Sequence, residues 1–416
     1  MINIEELLNL PDIRIIKIDE IPSSSRIDIY VETTESRTKC HVCKNVINKK
    51  HGKDKERKIR HLPAFGVDVN IIYQPNRYVC ESCKDNPTTT ATPSWHSVNS
   101  SYTTAYEQHI LLQIINSTVA DVAMKERITP DSVTGILDRL VTTEIDWSTI
   151  NYIGTLGIDE FAIKKGYKDY ISVISCRANG KKIILATLKG RKKAIIKGFL
   201  KSIPKRLKKT VDTVCVDMYD GYINAVKEVF KSSTILVIDR FHVAKLYRGS
   251  LDSYRQKTIN ELQRDLSTSE YNKVVGATKI LRKSKEYLTD QEKEIVNELF
   301  SYAPKLMEAY SLTLKLTHIF NTHYSKEEAL VKFQEWIYLV RKSKLTFLNK
   351  FIKTFNKLKN EIANYFINRK SSGFVEGLNN KIKVLKRRCY GIFELKRLYQ
   401  RLYLDVSGYD ILLPKS

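Results

Sequence analysis

From Asn151 onward the hydrophobic pattern spells out one order of elements, and no other feature of the chain restricts its fold as strongly. YIGTLGIDEFAI, DYISVISCRA and KKIILATLKG are three strand-like runs separated by GYK and NGK turns, which predicts an antiparallel meander. AIIKGFLKSI then repeats at helical spacing, TVDTVCVDMYDGY opens as a buried strand, YINAVKEVF is a helix and STILVIDRFHV a further buried strand. In open α/β sheets ligands gather at the carboxyl ends of the strands. The run Val211 to Val216 ends in Asp217, Asp220 and Gly221, so its acids stand where a metal or substrate could reach them.

The β-β-β-α-β-α-β order is that of the ribonuclease H-like fold, an α/β architecture whose first and fourth strands are neighbours. Asp159 and Asp217 then converge although they are distant in sequence. At 416 residues the chain exceeds one comfortable core, which predicts about two to four structural units. Its 70 Lys and Arg against 46 Asp and Glu leave a formal charge of +24, and a surplus of that size implies a polyanionic partner. Nucleic acid fits better than a membrane, because the sequence has no lipid-anchor motif, no signal-peptide pattern and no apolar run long enough to span a bilayer. Seven cysteines, four of them in two CxxC units, indicate metal binding in a reducing compartment such as the cytosol rather than a disulfide framework.

The amino-terminal part carries that metal motif. IRIIKIDEI and RIDIYVET alternate apolar and polar residues around PSSS as a β-hairpin, and each CxxC closes a hairpin of its own. Cys40, Cys43, Cys80 and Cys83 make a closed tetrahedral thiolate set suited to structural Zn²⁺, while His41 and His61 read as solvated or core histidines. Lys84 to Ser101, rich in Asn, Pro, Thr and Ser, reads as a linker. AYEQHILLQII, TVADVAMKER and SVTGILDRLV follow as short helices in a helix-turn-helix pattern. Ala120 and Ala123 are small enough for a close crossing, with Ile128 and Val133 filling the space between. The last helix offers Ser132, Thr134 and Arg139 to bases or phosphates of a major groove.

A second basic surface, Lys189 to Lys209, has ten basic residues and no acid, with Arg191, Lys192 and Lys193 as candidate phosphate contacts. From about Lys245 to Arg369 the pattern is helical throughout, an all-α block whose aromatic stripe is mostly core and whose Trp336 stands out as a candidate site residue. In SSGFVEGLNNKIKVLKRRCYG, Ser371, Ser372 and Gly373 break one helix. Glu376, Asn380 and Lys383 share a stripe of the next, and Lys386, Arg387 and Arg388 follow. A carboxylate, an amide and an ammonium on one stripe suit a surface that holds a metal and a phosphodiester together.

Assembled, these motifs resemble a DDE transposase of a bacterial insertion sequence, of the family named ISL-three. The resemblance runs through the paired CxxC knuckles, the helix-turn-helix, GIDEFAIKKG, VCVDMYDGY, IDRFHV and VEGLNNKIKVLKRRCYG, in that order. It implies that Asp159, Asp217 and Glu376 are a catalytic triad holding two Mg²⁺ ions. It further implies a bacterial, cytoplasmic, nucleoid-associated enzyme that binds terminal inverted repeats, cleaves and transfers strands to target DNA, and assembles as a dimer or larger complex on paired ends. Asp239-Arg240-Phe241-His242 resembles the acid-x-x-His signature of transposases with an interrupted catalytic domain, which implies DNA handling by His242 and, by location, Trp336. The expected divisions are a zinc-binding domain at 1–98, a helix-turn-helix at 102–147, a ribonuclease H-like catalytic domain at 151–245 and 370–405, and an all-α insertion at 246–369. A non-catalytic zinc and helix-turn-helix regulator and a structure-specific nuclease compete with this reading. Asp217 is expected to bind metal, and Asp220 to cap the helix that follows it.

Overall fold

The structure, a computed structural model, describes residues 4–21, 25–162, 170–178, 181–281, 288–367, 369, 373–389 and 394–413; within them the side chains of 178, 278, 373–376 and 379 are not described. The chain divides into two compact units, Met1–Thr142 with Ser407–Ser416, and Thr143–Val406.

In the first unit α1 (Ile4–Leu8) leads into β1 (Ile13–Ile21) and β2 (Arg26–Thr33), antiparallel as their alternation predicts. β3 (Thr38–Lys39) and β4 (Val46–Ile47) flank the first CxxC, and β5 (Lys50–Lys53), β6 (Arg57–Ala64) and β7 (Val67–Tyr73) follow. β8 (Asn76–Val79) and β9 (Thr88–Thr90) flank the second CxxC. The larger sheet runs β1-β2-β7-β6 and buries Ile29, Val31, Ile59, Val69 and Ile71 on one face.

The stretch read as a linker is instead built into this unit. β9 pairs with β8, and Trp95 packs in the core and donates its N–H to the Pro11 carbonyl at 3.1 Å. His96 is buried between the Tyr73 hydroxyl at 2.6 Å and the Ser100 carbonyl at 2.8 Å. A polar composition marks turns, but one buried tryptophan and one paired strand are enough to fix the segment.

α2 (Thr104–Ile114), α3 (Val119–Glu126) and α4 (Pro130–Leu140) each start at a threonine whose hydroxyl accepts a main-chain N–H: Thr103, Thr118 and Thr129. Val122, Ala123, Val133, Ile136 and Leu137 fill the space between them. Ala120 is exposed, so of the two alanines only Ala123 serves the close crossing.

In the second unit β10 (Gly154–Ala162), β11 (Tyr170–Ala178) and β12 (Lys181–Lys189) form the antiparallel meander. After α5 (Lys193–Ser202) and α6 (Lys205–Lys208), β13 (Val211–Val216) lies parallel to β10. α7 (Asp220–Phe230) crosses to β14 (Ile235–Ile238), completing a five-stranded sheet of order β12-β11-β10-β13-β14. Helices α8 (Arg240–Asp265), α9 (Thr268–Val274), α10 (Ala277–Ile280), α11 (Asp290–Tyr302), α12 (Pro304–Asn321), α13 (Lys326–Lys342) and α14 (Asn349–Ala363) come next, then α15 (Gly373–Arg388) and α16 (Leu395–Leu412). The described chain is therefore mixed α/β.

Alternation along the strands gives the sheet two different faces. Leu156, Ile158 and Ile174 pack against α5 and α7, while Ile171, Val173 and Ile184 pack against Leu378, Ile382 and Leu385 of α15 and Leu398 and Leu402 of α16. The first of these clusters continues through Val243 and Tyr247 of α8 to Leu316, Phe333 and Phe366, so the helical block shares its core with the sheet. Among the described residues no helix is long and apolar enough to cross a membrane.

Candidate active site

Three carboxylates meet where three neighbouring parallel strands end their pairing. Ile158 on β10 is opposite Val216 on β13, so Asp159 and Asp217, one residue further on, stand side by side. Val216 is in turn opposite Ile238, and Asp239 follows it. Asp239 is 6% exposed; its N–H donates to the Val216 carbonyl at 2.8 Å, and its Oδ1 accepts from the Phe241 N–H at 2.9 Å, which caps α8. Asp159 is 4% exposed and shares a sheet face with Val173, its cross-strand partner, so it belongs to the face covered by α15. Its Oδ1 accepts from the Glu160 N–H at 2.6 Å, and Asp217 Oδ1 accepts from the Tyr219 N–H at 2.8 Å.

Burial, with the negative charges of Glu160 and Asp159 adding to it, pushes the Asp217 carboxyl up to about 6 against the pull of the Tyr219 N–H and of His242. His242 Nε2 lies 3.8 Å from Asp159 Oδ2 and 3.9 Å from Asp239 Oδ2, ion-pair distances too long for hydrogen bonds. Burial alone would lower the imidazole pKa; Asp159, Asp239 and Asp217 together outweigh it and raise the value above its ordinary one. Buried acids that destabilise one another's charge fit a hard divalent cation such as Mg²⁺. Asp239 was read from the sequence only as the acid of the acid-x-x-His signature; its position directly after a buried strand was the signal that it would join the other two acids.

Glu160 faces the opposite side of the sheet from Asp159. Tyr222 on α7 donates its hydroxyl to Glu160 Oε2 at 2.9 Å and lies 2.7 Å from Ser172 Oγ. Arg191, expected on phosphate, is engaged here: its Nη1 donates to Glu160 Oε1 at 2.6 Å, and its guanidinium lies 4.0 Å from the Tyr170 ring centre and 4.6 Å from that of Tyr219. Lys193 pairs with Glu228, which also binds Lys197 at 2.6 Å, whereas Lys192 is exposed.

Other candidate residues have partners within the chain. Asp220 occupies the first turn of α7, where Tyr219 is the cap residue without a side-chain bond, and its carboxylate instead binds Lys357 at 2.7 and 2.8 Å. Trp336 is packed in the core, as most of its stripe was expected to be: it is 2% exposed, donates its indole N–H to the Leu312 carbonyl at 2.8 Å, and meets Phe351 edge-on. Arg139 pairs with the fully buried Glu107, which also accepts from Ser100 Oγ at 2.7 Å. Ser132 Oγ lies 2.9 Å from Thr129 Oγ1 in the cap of α4, and Thr134 is half-buried.

Glu376 lies on α15, but its side chain is outside the described set, and Ser371 and Ser372 lie outside the described residues. Asn380, Lys383 and Arg387 are exposed, away from the buried stripe of Leu378, Ile382 and Leu385. Lys386 donates to the Ala162 carbonyl at 2.6 Å, and burial lowers its pKa.

The four cysteine sulfurs of the first unit all lie within 4.8 Å of one another, with separations of 3.9 Å for Cys40–Cys83, 3.7 Å for Cys43–Cys80 and 3.6 Å for Cys80–Cys83. Four sulfurs set tetrahedrally around zinc are about 3.8 Å apart, so the set fits that ion. The Cys43 N–H pulls the Cys40 thiol down while the Cys43 sulfur pushes Cys83 up, a crowding of thiols that a bound cation would relieve.

A family described as transposase matches residues 156–402, and one described as the helix-turn-helix domain of transposase family ISL3 matches residues 90–141. The chain is 25% identical over 388 residues to the transposase for insertion sequence element IS1001 of Bordetella parapertussis, covering 92% of each chain. It is 22% identical over 378 residues to the transposase for insertion sequence element IS1557 of Mycobacterium tuberculosis, covering 86% of this chain and 83% of the relative. The first match takes in Asp159, Asp217 and Glu376, and the second takes in α2, α3 and α4.

Proposed function

Because the chain belongs to the ISL3 family of transposases, we propose that it binds the terminal inverted repeats of an insertion sequence and performs Mg²⁺-dependent strand cleavage and strand transfer through Asp159, Asp217 and Glu376. The observation that carries this reading is the register of β10 with β13, which sets Asp159 beside Asp217 on a sheet covered by α15, the helix of Glu376. Asp159, Asp217 and Glu376 would hold two divalent cations, which would supply activation of the attacking oxygen and charge stabilisation at the leaving oxygen of an in-line displacement. The chain's own groups prepare the site. Main-chain N–H groups orient Asp159 and Asp217 before DNA arrives, which limits reorganisation at the moment of reaction. His242 stands beside the same acids, where a phosphodiester oxygen would lie.

In the same reading, residues 1–98 are a zinc-binding domain with structural Zn²⁺ on Cys40, Cys43, Cys80 and Cys83. Residues 102–147 are the helix-turn-helix that meets DNA through Ser132 and Thr134. Residues 151–245 and 370–405 form a ribonuclease H-like catalytic domain interrupted by an all-α insertion at 246–369. Exposed Lys192, Asn380, Lys383 and Arg387 would hold the DNA backbone in a salt-dependent way, and two or more copies would assemble on paired ends.

A labelled terminal-repeat duplex incubated with the protein, Mg²⁺ and a target plasmid should give a nick and a joined product. Glu376→Gln should keep end binding and lose both products. Wild-type protein that yields neither under these conditions overturns the proposal.

A further inference from the structure

A groove of about 710 Å³ opens beside the carboxylates and runs along α8 within the second unit. His242 lines its inner end, next to Asp159. From there Lys245, Gly249, Ser253 and Lys257 follow at four-residue spacing along one stripe of the helix, and Phe347 and Lys350 at the entry to α14 complete the lining. Phe347 stacks on Tyr254, with ring centres 5.2 Å apart and planes inclined by 22°. Among the described residues no carboxylate pairs with Lys245 or Lys350, and Lys257 has Glu261 only at 3.9 Å. A Cβ on Gly249 would meet nothing within 4 Å, so no packing neighbour requires a glycine in the middle of this 26-residue helix, where glycine is unfavourable. What the glycine and Ser253 do provide is a low floor between two lysines.

We propose that this groove holds, as unpaired nucleotides, the DNA strand that continues from the scissile phosphate. Lys245, Lys257 and Lys350 would contact its backbone, and the Tyr254–Phe347 pair would take a base. Stacking of that kind needs a base released from its duplex, whereas lysines alone would serve either form. His242 to Lys257 spans 15 residues, roughly 22 Å of helix, which is long enough for several nucleotides. The inference rests on the strand-cleavage reading for the identity of the strand, and its test does not require cleavage.

The probe is a fluorescent oligothymidylate bound to the full chain without Mg²⁺ over a range of salt. The triple variant Lys245→Ala, Lys257→Ala, Lys350→Ala should bind at least tenfold more weakly and lose about 2 from the salt slope, since three phosphate contacts contribute ~0.7 each. The triple variant Lys305→Ala, Lys315→Ala, Lys342→Ala, with the same charge change at exposed positions outside the groove and outside the Lys189–Lys209 surface, should bind like wild type. An oligonucleotide carrying 5-iododeoxyuridine should photocrosslink to the peptide containing Tyr254 or Phe347. Phe347→Leu, which keeps an apolar filler, should reduce that crosslink while far-ultraviolet circular dichroism stays unchanged. Equal weakening in both triple variants, or crosslinks confined to peptides outside the groove, overturns the proposal. Loss of binding in the groove variant of a protein that cuts no terminal repeat would retain the groove and discard the cleavage reading.

Discussion

Replacing Arg139 with alanine separates two roles open to a cation on a helix-turn-helix. Its partner Glu107 is fully buried, and without the guanidinium that carboxylate would keep only Ser100 Oγ at 2.7 Å and Ser97 Oγ at 3.4 Å. Removing one partner of a buried ion pair costs about 3–5 kcal/mol. The Arg139 side chain is 36% exposed, so solvent screens part of the interaction, and about 2–3 kcal/mol is the expected loss. That amounts to roughly 30- to 160-fold in the local folding equilibrium. Amide hydrogen exchange over α2, α3 and α4 should speed up by about this factor, and adding Glu107→Gln should restore most of the protection by removing the stranded charge. If Arg139→Ala leaves exchange unchanged while lowering the salt slope of terminal-repeat binding by about 1, Arg139 is a phosphate contact and the argument from the ion pair fails.

Trp336→Ala should destabilise the second unit by about 3–5 kcal/mol in urea unfolding, and an unchanged midpoint would show that the indole is not a core element. The purified chain should carry one zinc by atomic absorption, and Cys80→Ser should release it and raise hydrogen exchange around β8 and β9; a metal-free, equally protected wild type would refute the thiolate site. Tyr222→Phe removes the hydroxyl that donates to Glu160 Oε2 and should cost about 1–3 kcal/mol in thermal unfolding, with Arg191 left as a ligand of that carboxylate. Burial raises the Asp28 carboxyl, but Lys58 at 2.6 Å, Asn70 at 2.8 Å and Arg26 at 3.2 Å prevail and hold it below its ordinary value. Its contribution should therefore be complete above the unfolded value of about 3.9 and vanish as the pH falls through the lower folded value. Asp28→Asn should flatten the acid limb of the first unit's stability curve.

Much of the candidate site was legible because it depends on order and local period. The strand runs alternate or cluster apolar residues over short spans, so Asp217 could be read from where its run stopped, while its pairing with Asp159, inside its own run, followed from the expected order of the strands. The paired CxxC units were legible for the same reason, since the spacing of two thiols in a knuckle is a local quantity. The Lys84 to Ser101 stretch was not legible as packed structure, because its composition is that of a loop and its anchor is a single tryptophan reaching the Pro11 carbonyl. Asp159 and Glu160 show the limit at its finest: adjacent residues of one strand serve different faces, one among the acids and one beneath Tyr222 and Arg191.

The sequence by itself determined the element order, the acids at the strand ends, the four thiolates and the basic excess, all of which are properties of short spans or of simple sums. Only the tertiary structure decided which charges are engaged by one another. Arg139 reaches Glu107 across 32 positions, Arg191 reaches Glu160 across 31, and Lys357 reaches Asp220 across 137. Such partners are brought together by the packing of whole elements, and a buried carboxylate such as Glu107 draws its cation from whichever element arrives beside it, because an unpaired charge in the interior is costly. Counting basic residues along the chain therefore pointed to a polyanionic partner, while the packing decided which of them are engaged within the chain.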